Sequence, residues 1–210
     1  MFFAKKRLVV MVAVWAVACV CASACKSTPA QEKQAPELPY SQMRSGDLVF
    51  RLGTGAYAQL LNMMPDTLMY SHVGFLVEKD SSWMVVHAVP RELDGPDDFE
   101  RVKMESLDAF LAPDLAIIGT FAHTPVKRPD RMVTRALEYV RDSVPFDNNF
   151  DLSDTTALYC TEMVWRLFLM EGIDLSEGRR SYRSVSVFKD GCITANDILQ
   201  YPGLEKYFSF

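Results

Sequence analysis

The stretch SHVGFLVEKDSSWMVVHAV, residues 71–89, decides the fold. Two β-branched and aromatic runs, SHVGFLVE (71–78) and WMVVHAV (83–89), flank the polar tetrapeptide KDSS. Such a pair predicts an antiparallel hairpin. A loop of four residues pairs Glu78 with Trp83, which sets Gly74 opposite His87 and His72 two residues further along. Cross-strand partners share a face, and so do residues two apart. His72 and His87 therefore point to the same side, as diagonal neighbours roughly 7–8 Å apart at the backbone. Gly74 is expected to leave room for the His87 ring. A loop with an odd number of residues would put the two imidazoles on opposite faces.

Around this hairpin the chain reads as a mixture of strands and short helices. GDLVFRL (46–52) follows a Gly-Asp turn signal and predicts a strand, and AYAQLLNMM (56–64) predicts a short helix stopped by Pro65. RELDGPDDF is a loop, ERVKMES a weaker strand, LDAFL a short helix, and LAIIGTFA (115–122) a strong strand. Pro129 opens a helix that runs to about Asp142, with Met132, Val133, Ala136, Leu137 and Val140 on one face. SVPFDNNFDLSDTT is a polar loop, and TANDILQY a short helix near the end. No internal repeat is present. Strands joined by hairpins and set between helical portions favour α+β with an antiparallel sheet.

LYCTEMVWRLF (158–168) carries the most chemically interesting thiol. Cys160, Met163, Val164, Leu167 and Phe168 fall at i, i+3, i+4, i+7 and i+8, one apolar helix face ending before Gly172. A cysteine on such a face is commonly a small buried hydrophobe. A cysteine at a helix N-terminus is also placed to be a nucleophile, because the unpaired N–H groups and the helix dipole favour a thiolate and lower its pKa. The helix alone leaves both readings open. Nucleophilic catalysis by cysteine needs a base and a third polar group to orient it. Of the three histidines, His72 and His87 supply those types; His123, in FAHTPVKRP, falls on a predicted loop and takes no role.

Several other signals lead elsewhere. GTGAYA (53–58) has the G-x-G-x-x-A spacing of a dinucleotide loop, but the next strand enters a hairpin rather than a βαβ unit. DNNFDLSD (147–154) alternates like a calcium loop, yet Leu152 stands at the required glycine and Leu158 at the required glutamate. Cys160, His72 and His87 make three zinc-type donors, one short of a structural site. Glu162 reads as a solvated or helix-start carboxylate rather than an acid catalyst. No metal or cofactor is expected.

The N-terminus has a different character. Lys5, Lys6 and Arg7 precede an apolar run from Leu8 to about Val20, as in a secretory signal peptide. The run is too short to read first as a spanning helix. The small residues ASA then precede Cys25, which resembles a bacterial lipobox with Ala22 in place of the usual leucine. Ordinary signal cleavage or an uncleaved anchor are the alternatives. KSTPAQEKQAPELP is rich in Pro, Ala, Gln and charge, and cannot bury enough apolar surface to fold alone. Three segments follow: a lipoprotein signal at 1–24, a flexible tether at 25–41 with lipid attachment at Cys25, and one domain at 42–210.

The chain carries a net charge of −5, and residues 1–24 hold three of its cations and no acid, so the chain without them is near −8. With no basic stripe, nucleic-acid binding is excluded as an expectation. Cys19 and Cys21 leave with the signal, and Cys25 takes the lipid. Cys160 and Cys192 remain, and in an oxidising compartment they could form a disulfide.

GDLVF, SHVGF and YCTEMV, in that order, resemble the permuted papain-like amidase family (YaeF/YiiX type), a branch of the NlpC-type cysteine peptidase superfamily. PFDNNFDLSDTTALYC is similar to the family's approach to its cysteine, and the likeness spans roughly residues 43–172 with a weaker echo in ITANDIL. In non-permuted members the cysteine helix comes before the strands. The resemblance implies a circularly permuted papain-like fold, a small antiparallel β-barrel or sheet packed against the cysteine helix. It implies Cys160 as nucleophile, His72 as base and His87 in the third polar position, where glutamate is common and histidine a departure; the lecithin:retinol acyltransferase relatives use a Cys-His-His set. The expected activity is a cysteine hydrolase cleaving amide bonds, foremost those of cell-wall peptidoglycan peptides. The expected location is the cell envelope, at the periplasmic or surface side of a bacterial membrane. Alternatives are an acyltransferase or lipid hydrolase using the same three residues, with AQLLNMMPDTLMY as an apolar wall, and a non-catalytic binding module.

Overall fold

A computed structural model describes residues 36–54, 70–90, 96–181 and 191–210. The signal, Cys25, the helix expected at 56–64 and most of the AQLLNMMPDTLMY segment lie outside the described residues. Among the described residues, no helix is long and apolar enough to cross a membrane.

The hairpin forms as the sequence predicts, with one change that leaves its parity intact. β2 spans His72–Lys79 and β3 Ser82–Val89. Glu78 pairs with Trp83, but Lys79 and Ser82 pair as well. The loop is therefore two residues, Asp80 and Ser81, not four, and both adopt positive φ (50° and 61°). That backbone matches the right-handed twist of the flanking strands. Shortening the loop by a pair keeps every side chain on its expected face.

The sheet is antiparallel and has six strands in the order β4-β3-β2-β1-β5-β6. β1 is Leu48–Gly53, β4 Arg101–Ser106, β5 Ala116–His123 and β6 Glu205–Ser209. It is an open sheet, which corrects the expectation of a small barrel. The outer side of β4 is taken by the segment before the cysteine helix: Val102 N–H donates to Val144 O, and Phe146 N–H to Glu100 O, each at 2.8 Å. With β4 engaged there, β6 has no edge to close against. β6 itself was not expected, because EKYFS begins with two charged residues; pairing with β5 and the Thr120 hydroxyl donating to Phe208 O (2.8 Å) hold it.

Four helices are described: α1 (Leu107–Phe110), α2 (Asp130–Arg141), α3 (Cys160–Leu169) and α4 (Ala195–Leu199). Pro129 is the N-cap of α2, one position earlier than expected. Beyond α3, Gly172 takes φ +74°, the left-handed stop that favours glycine. Side-chain parity divides the core into two layers. Leu48, Phe50, Val73, Phe75, Val86 and Ala88 face α2 and α3, where Met132, Ala136, Met163, Val164, Leu167 and Phe168 are buried. Val49, Leu76 and Val85 face the other way, against Leu107, Phe110 and Phe121.

His123 is the last residue of β5 rather than part of a loop. Its Nδ1 lies 3.0 Å from Asp47 Oδ2, its ring stacks on Tyr207 at 4.0 Å, and the Tyr207 hydroxyl donates to the same oxygen at 3.2 Å. Asp47 also accepts from Arg44 N–H at 2.9 Å. The cluster ties the turn before β1 to β5 and β6, so His123 serves the sheet.

Candidate active site

Both histidines begin from the hairpin register. Extending the Phe75–Val86 pair by one step sets Gly74 opposite His87, with His72 diagonal to it on the same face. Their rings meet: His72 Nε2 is 2.8 Å from His87 Nδ1, with centroids 5.1 Å apart and planes at 77°. Phe110 backs them both, at 5.6 Å from His72 and 5.1 Å from His87. Gly74 makes room, but not for the His87 ring as expected. A Cβ there would lie 2.2 Å from Val85 Cγ1 and 3.3 Å from Phe110 Cε2, so the glycine admits the packing that supports the imidazole pair.

Cys160 comes to the start of β2 from the other layer. It is the first residue of α3. The backbone N–H groups of Val73, Thr161 and Cys160 itself act on the sulfur in favour of the thiolate. Val73 directly follows His72, so the thiol sits against the His72–Val73 peptide. The charge of Arg51, which pairs across β1–β2 with His72, also acts on the sulfur. His72 uses Nε2 toward His87, which leaves Nδ1 as its other ring nitrogen.

The start of α3 is fixed from three sides. Glu162, fully buried, faces the Tyr159 N–H (3.5 Å) and accepts a 2.8 Å bond from Arg166 Nε. Arg166 also donates to the carbonyls of Leu152 and Asp154 in the preceding loop, at 3.0 and 2.8 Å. Within that loop, Asp147 accepts the N–H groups of Asn149 (2.8 Å) and Asp151 (2.6 Å), so its carboxylate shapes the turn. From the far side, Ile193 N–H donates to the Tyr159 hydroxyl (3.1 Å) and Thr161 Oγ1 donates to Ile193 O (2.5 Å). Glu162 is thus a helix-start carboxylate, as the sequence suggested, though buried and paired.

These contacts leave a small cavity at the thiol, lined by Tyr70, Phe150, Tyr159, Cys160, Cys192 and Ile193 among others. It offers about 30 Å³ to the centre of a water-sized atom, room for roughly two waters. Cys160 and Cys192 border the same cavity, and both are free thiols.

Electrostatically the resting pair is neutral, which corrects the expected low thiol pKa. Burial pushes the Cys160 thiol up to about 11 and outweighs the three N–H groups and Arg51, all of which favour the thiolate. Burial also holds His72 well below 6.5, helped by the positive charges of Arg51 and Lys103 and by the neighbouring His87. An uncharged imidazole is the form that accepts a proton.

Two residues near the histidines escaped the sequence reading. Arg51 is buried; its Nη1 donates to Phe110 O at 2.6 Å and its guanidinium lies 4.5 Å from the Phe110 ring. Its signal was an arginine inside the otherwise apolar strand LVFRL. Glu105 Oε1 lies 3.1 Å from His87 Nε2. It was hidden in a strand where charged and apolar residues mix.

No protein-family model and no curated protein matches the chain. The solved structures include one similar in fold, the crystal structure of metalloprotein YiiX from Escherichia coli O157:H7, DUF1105. The TM-score is 0.63 at 18% identity, over 80% of this chain and 98% of that one. The chain therefore has a YiiX-like α+β fold.

That neighbour is a metalloprotein, which raises the question of a metal here. Among the described residues, no group of three or more His, Cys, Asp or Glu could hold an ion. Two imidazole nitrogens sharing a tetrahedral zinc sit roughly 3.3 Å apart. The 2.8 Å between His72 and His87 suits a shared proton instead. The donor set does not fit a metal.

Proposed function

We propose that the protein is a cysteine hydrolase of permuted papain-like type that cleaves amide bonds, with Cys160 as nucleophile, His72 as base and His87 orienting His72. The observation that carries this reading is the meeting of two element starts: a thiol at the first residue of α3 near Val73, the residue after His72, whose imidazole is hydrogen-bonded to that of His87 at 2.8 Å.

The reaction runs in two halves. The Cys160 proton passes to His72 Nδ1 as Sγ attacks the substrate carbonyl, and a C–S bond forms. N–H groups at the start of α3 stabilise the oxyanion. The C–N bond breaks, His72 returns its proton to the amine, and a thioester remains on Cys160. Water, deprotonated by His72, hydrolyses the thioester and restores the thiol. Because the resting pair is neutral, proton transfer accompanies attack instead of preceding it.

Peptidoglycan peptides are the substrates that best unite this chemistry with an exported chain. The small cavity beside the thiol suits a compact side chain on the acyl residue. Incubating the purified protein in parallel with muropeptides and with long-chain acyl esters, with Cys160→Ala as blank, tests this. Cleavage of muropeptides alone is expected. Acyl release alone would make the protein an acyltransferase or lipid hydrolase, and two blanks would make it a binding module.

The location is part of the same proposal: residues 1–24 direct export, and Cys25 carries lipid that holds the domain, through its tether, at the membrane. Metabolic labelling with a palmitate analogue is expected to tag the protein, and Cys25→Ser to remove the tag. Undiminished labelling of that variant would contradict the anchor.

A further inference from the structure

We propose that Glu105 is a positioning residue that fixes the tautomers of both His87 and His72, so that His72 presents a bare Nδ1 to Cys160. The proposal builds on the hydrolase reading of the site, but the tautomers it specifies can be read without any substrate.

The register delivers Glu105 to the histidines. In β3–β4, His87 pairs with Lys103 and Val85 with Glu105. Glu105 is thus the diagonal neighbour of His87 on the histidine face. Its Oε1 lies 3.1 Å from His87 Nε2, and its Oε2 lies 4.0 Å from Lys103 Nζ. The lysine's charge favours the ionised carboxylate from the side of the far oxygen. The near oxygen is left to the imidazole.

From there the proton positions follow along the chain. A lone pair on Nε2 facing a carboxylate oxygen at 3.1 Å would be repelled by it, so the His87 Nε2 carries the hydrogen, although the N–H is not aimed straight at Oε1. His87 in its neutral form has one N–H, so its Nδ1 then carries a lone pair. The 2.8 Å contact then requires His72 Nε2 to donate to it. His72 has spent its single N–H there, and its Nδ1 is bare. Without Glu105 the same two rings can bond in the reverse sense. His72 would then accept at Nε2 and carry its hydrogen on Nδ1, where it cannot take a proton from the thiol. Wrong-tautomer selection of this kind is how an amide in place of the orienting carboxylate disables a serine protease triad.

The test is nitrogen-15 labelling of the full protein, with long-range proton–nitrogen spectra of the imidazoles near neutral pH. The chain has three histidines, so His72 and His87 are assignable. The wild type is expected to show unprotonated Nδ1 and protonated Nε2 in both. In Glu105→Gln, whose amide can donate as well as accept, the His72 Nδ1 signal is expected to move toward the protonated range. kcat/KM on the cleaved substrate is expected to fall roughly 10²-fold, chiefly in kcat. Glu105→Asp is expected to recover part of both. A backbone amide spectrum like the wild type shows that the near-isosteric Glu105→Gln is folded. Protonated Nδ1 on His72 in the wild type, or unchanged tautomers in Glu105→Gln, would overturn the proposal. Correct tautomers in a protein that cleaves nothing would overturn the hydrolase reading and leave the role of Glu105 standing.

Discussion

Cys160→Ala is expected to abolish turnover, a loss on the order of 10⁴-fold or more, with substrate binding retained. The basis is that in the proposed mechanism the Cys160 thiol forms the covalent intermediate; Cys192, the other thiol on the cavity, is pushed up further, to about 12. His72→Ala is expected to cost about as much. The buried thiol, pushed up to about 11, is only about one part in 10⁴ thiolate at neutral pH, so removing the base removes most of the nucleophile as well. Residues that act as one unit do not add, so the double variant is expected to be no worse than either single one. His87→Ala is expected to lose less, because it removes orientation while Nδ1 of His72 survives. Steady-state kinetics on the four proteins distinguish these outcomes. A double variant much slower than both single variants would mean that the two residues act separately.

The thiol's reactivity with iodoacetamide is expected to climb about tenfold per pH unit between pH 7 and pH 9, an overall change of about 10²-fold. The thiolate is the reacting form. A group with its pKa raised to about 11 is almost wholly protonated across that range, so its thiolate fraction grows in proportion to hydroxide. His72, held well below 6.5, is neutral throughout and adds no second limb. Cys192 is pushed up further, to about 12, by burial, Asp197 and Cys160. It is expected to react about tenfold more slowly than Cys160 at each pH. A flat, fast reaction from pH 6 to 8 would show a preformed thiolate–imidazolium pair and contradict the neutral resting state.

The difference between that expectation and the sequence-based one is instructive. The position of Cys160 at a helix start was legible from the spacing of Met163, Val164, Leu167 and Phe168. Its electrostatic environment was not. The N–H groups that favour a thiolate are local to the helix, but the burial that opposes it comes from Phe150, Tyr159, Cys192 and Ile193. Of those residues, Cys192 and Ile193 reach the thiol only through long-range contacts such as Thr161 to Ile193.

The hairpin shows the opposite balance. Its loop was read two residues too long, yet the His72–His87 pair came out on one face, because side-chain direction depends only on parity. Lys79 and Ser82 looked like loop residues by composition and are the last rungs of the ladder. Closure of the sheet was beyond the sequence for a related reason. Whether β4 meets β6 depends on where the 144–146 segment docks, and SVPFDNNF has no strand-like alternation to announce it. Glu105 was equally hidden: a glutamate in ERVKMES reads as a solvated charge until the register sets it diagonal to His87.

The most direct measurement is acid quenching during turnover of the cleaved substrate, followed by peptide mapping of the protein. The account predicts the acyl half of the substrate on the peptide that contains Cys160, as a hydroxylamine-sensitive thioester, and none on Cys192. Turnover at full rate by Cys160→Ala, or an acyl group mapped to any other residue, would contradict it.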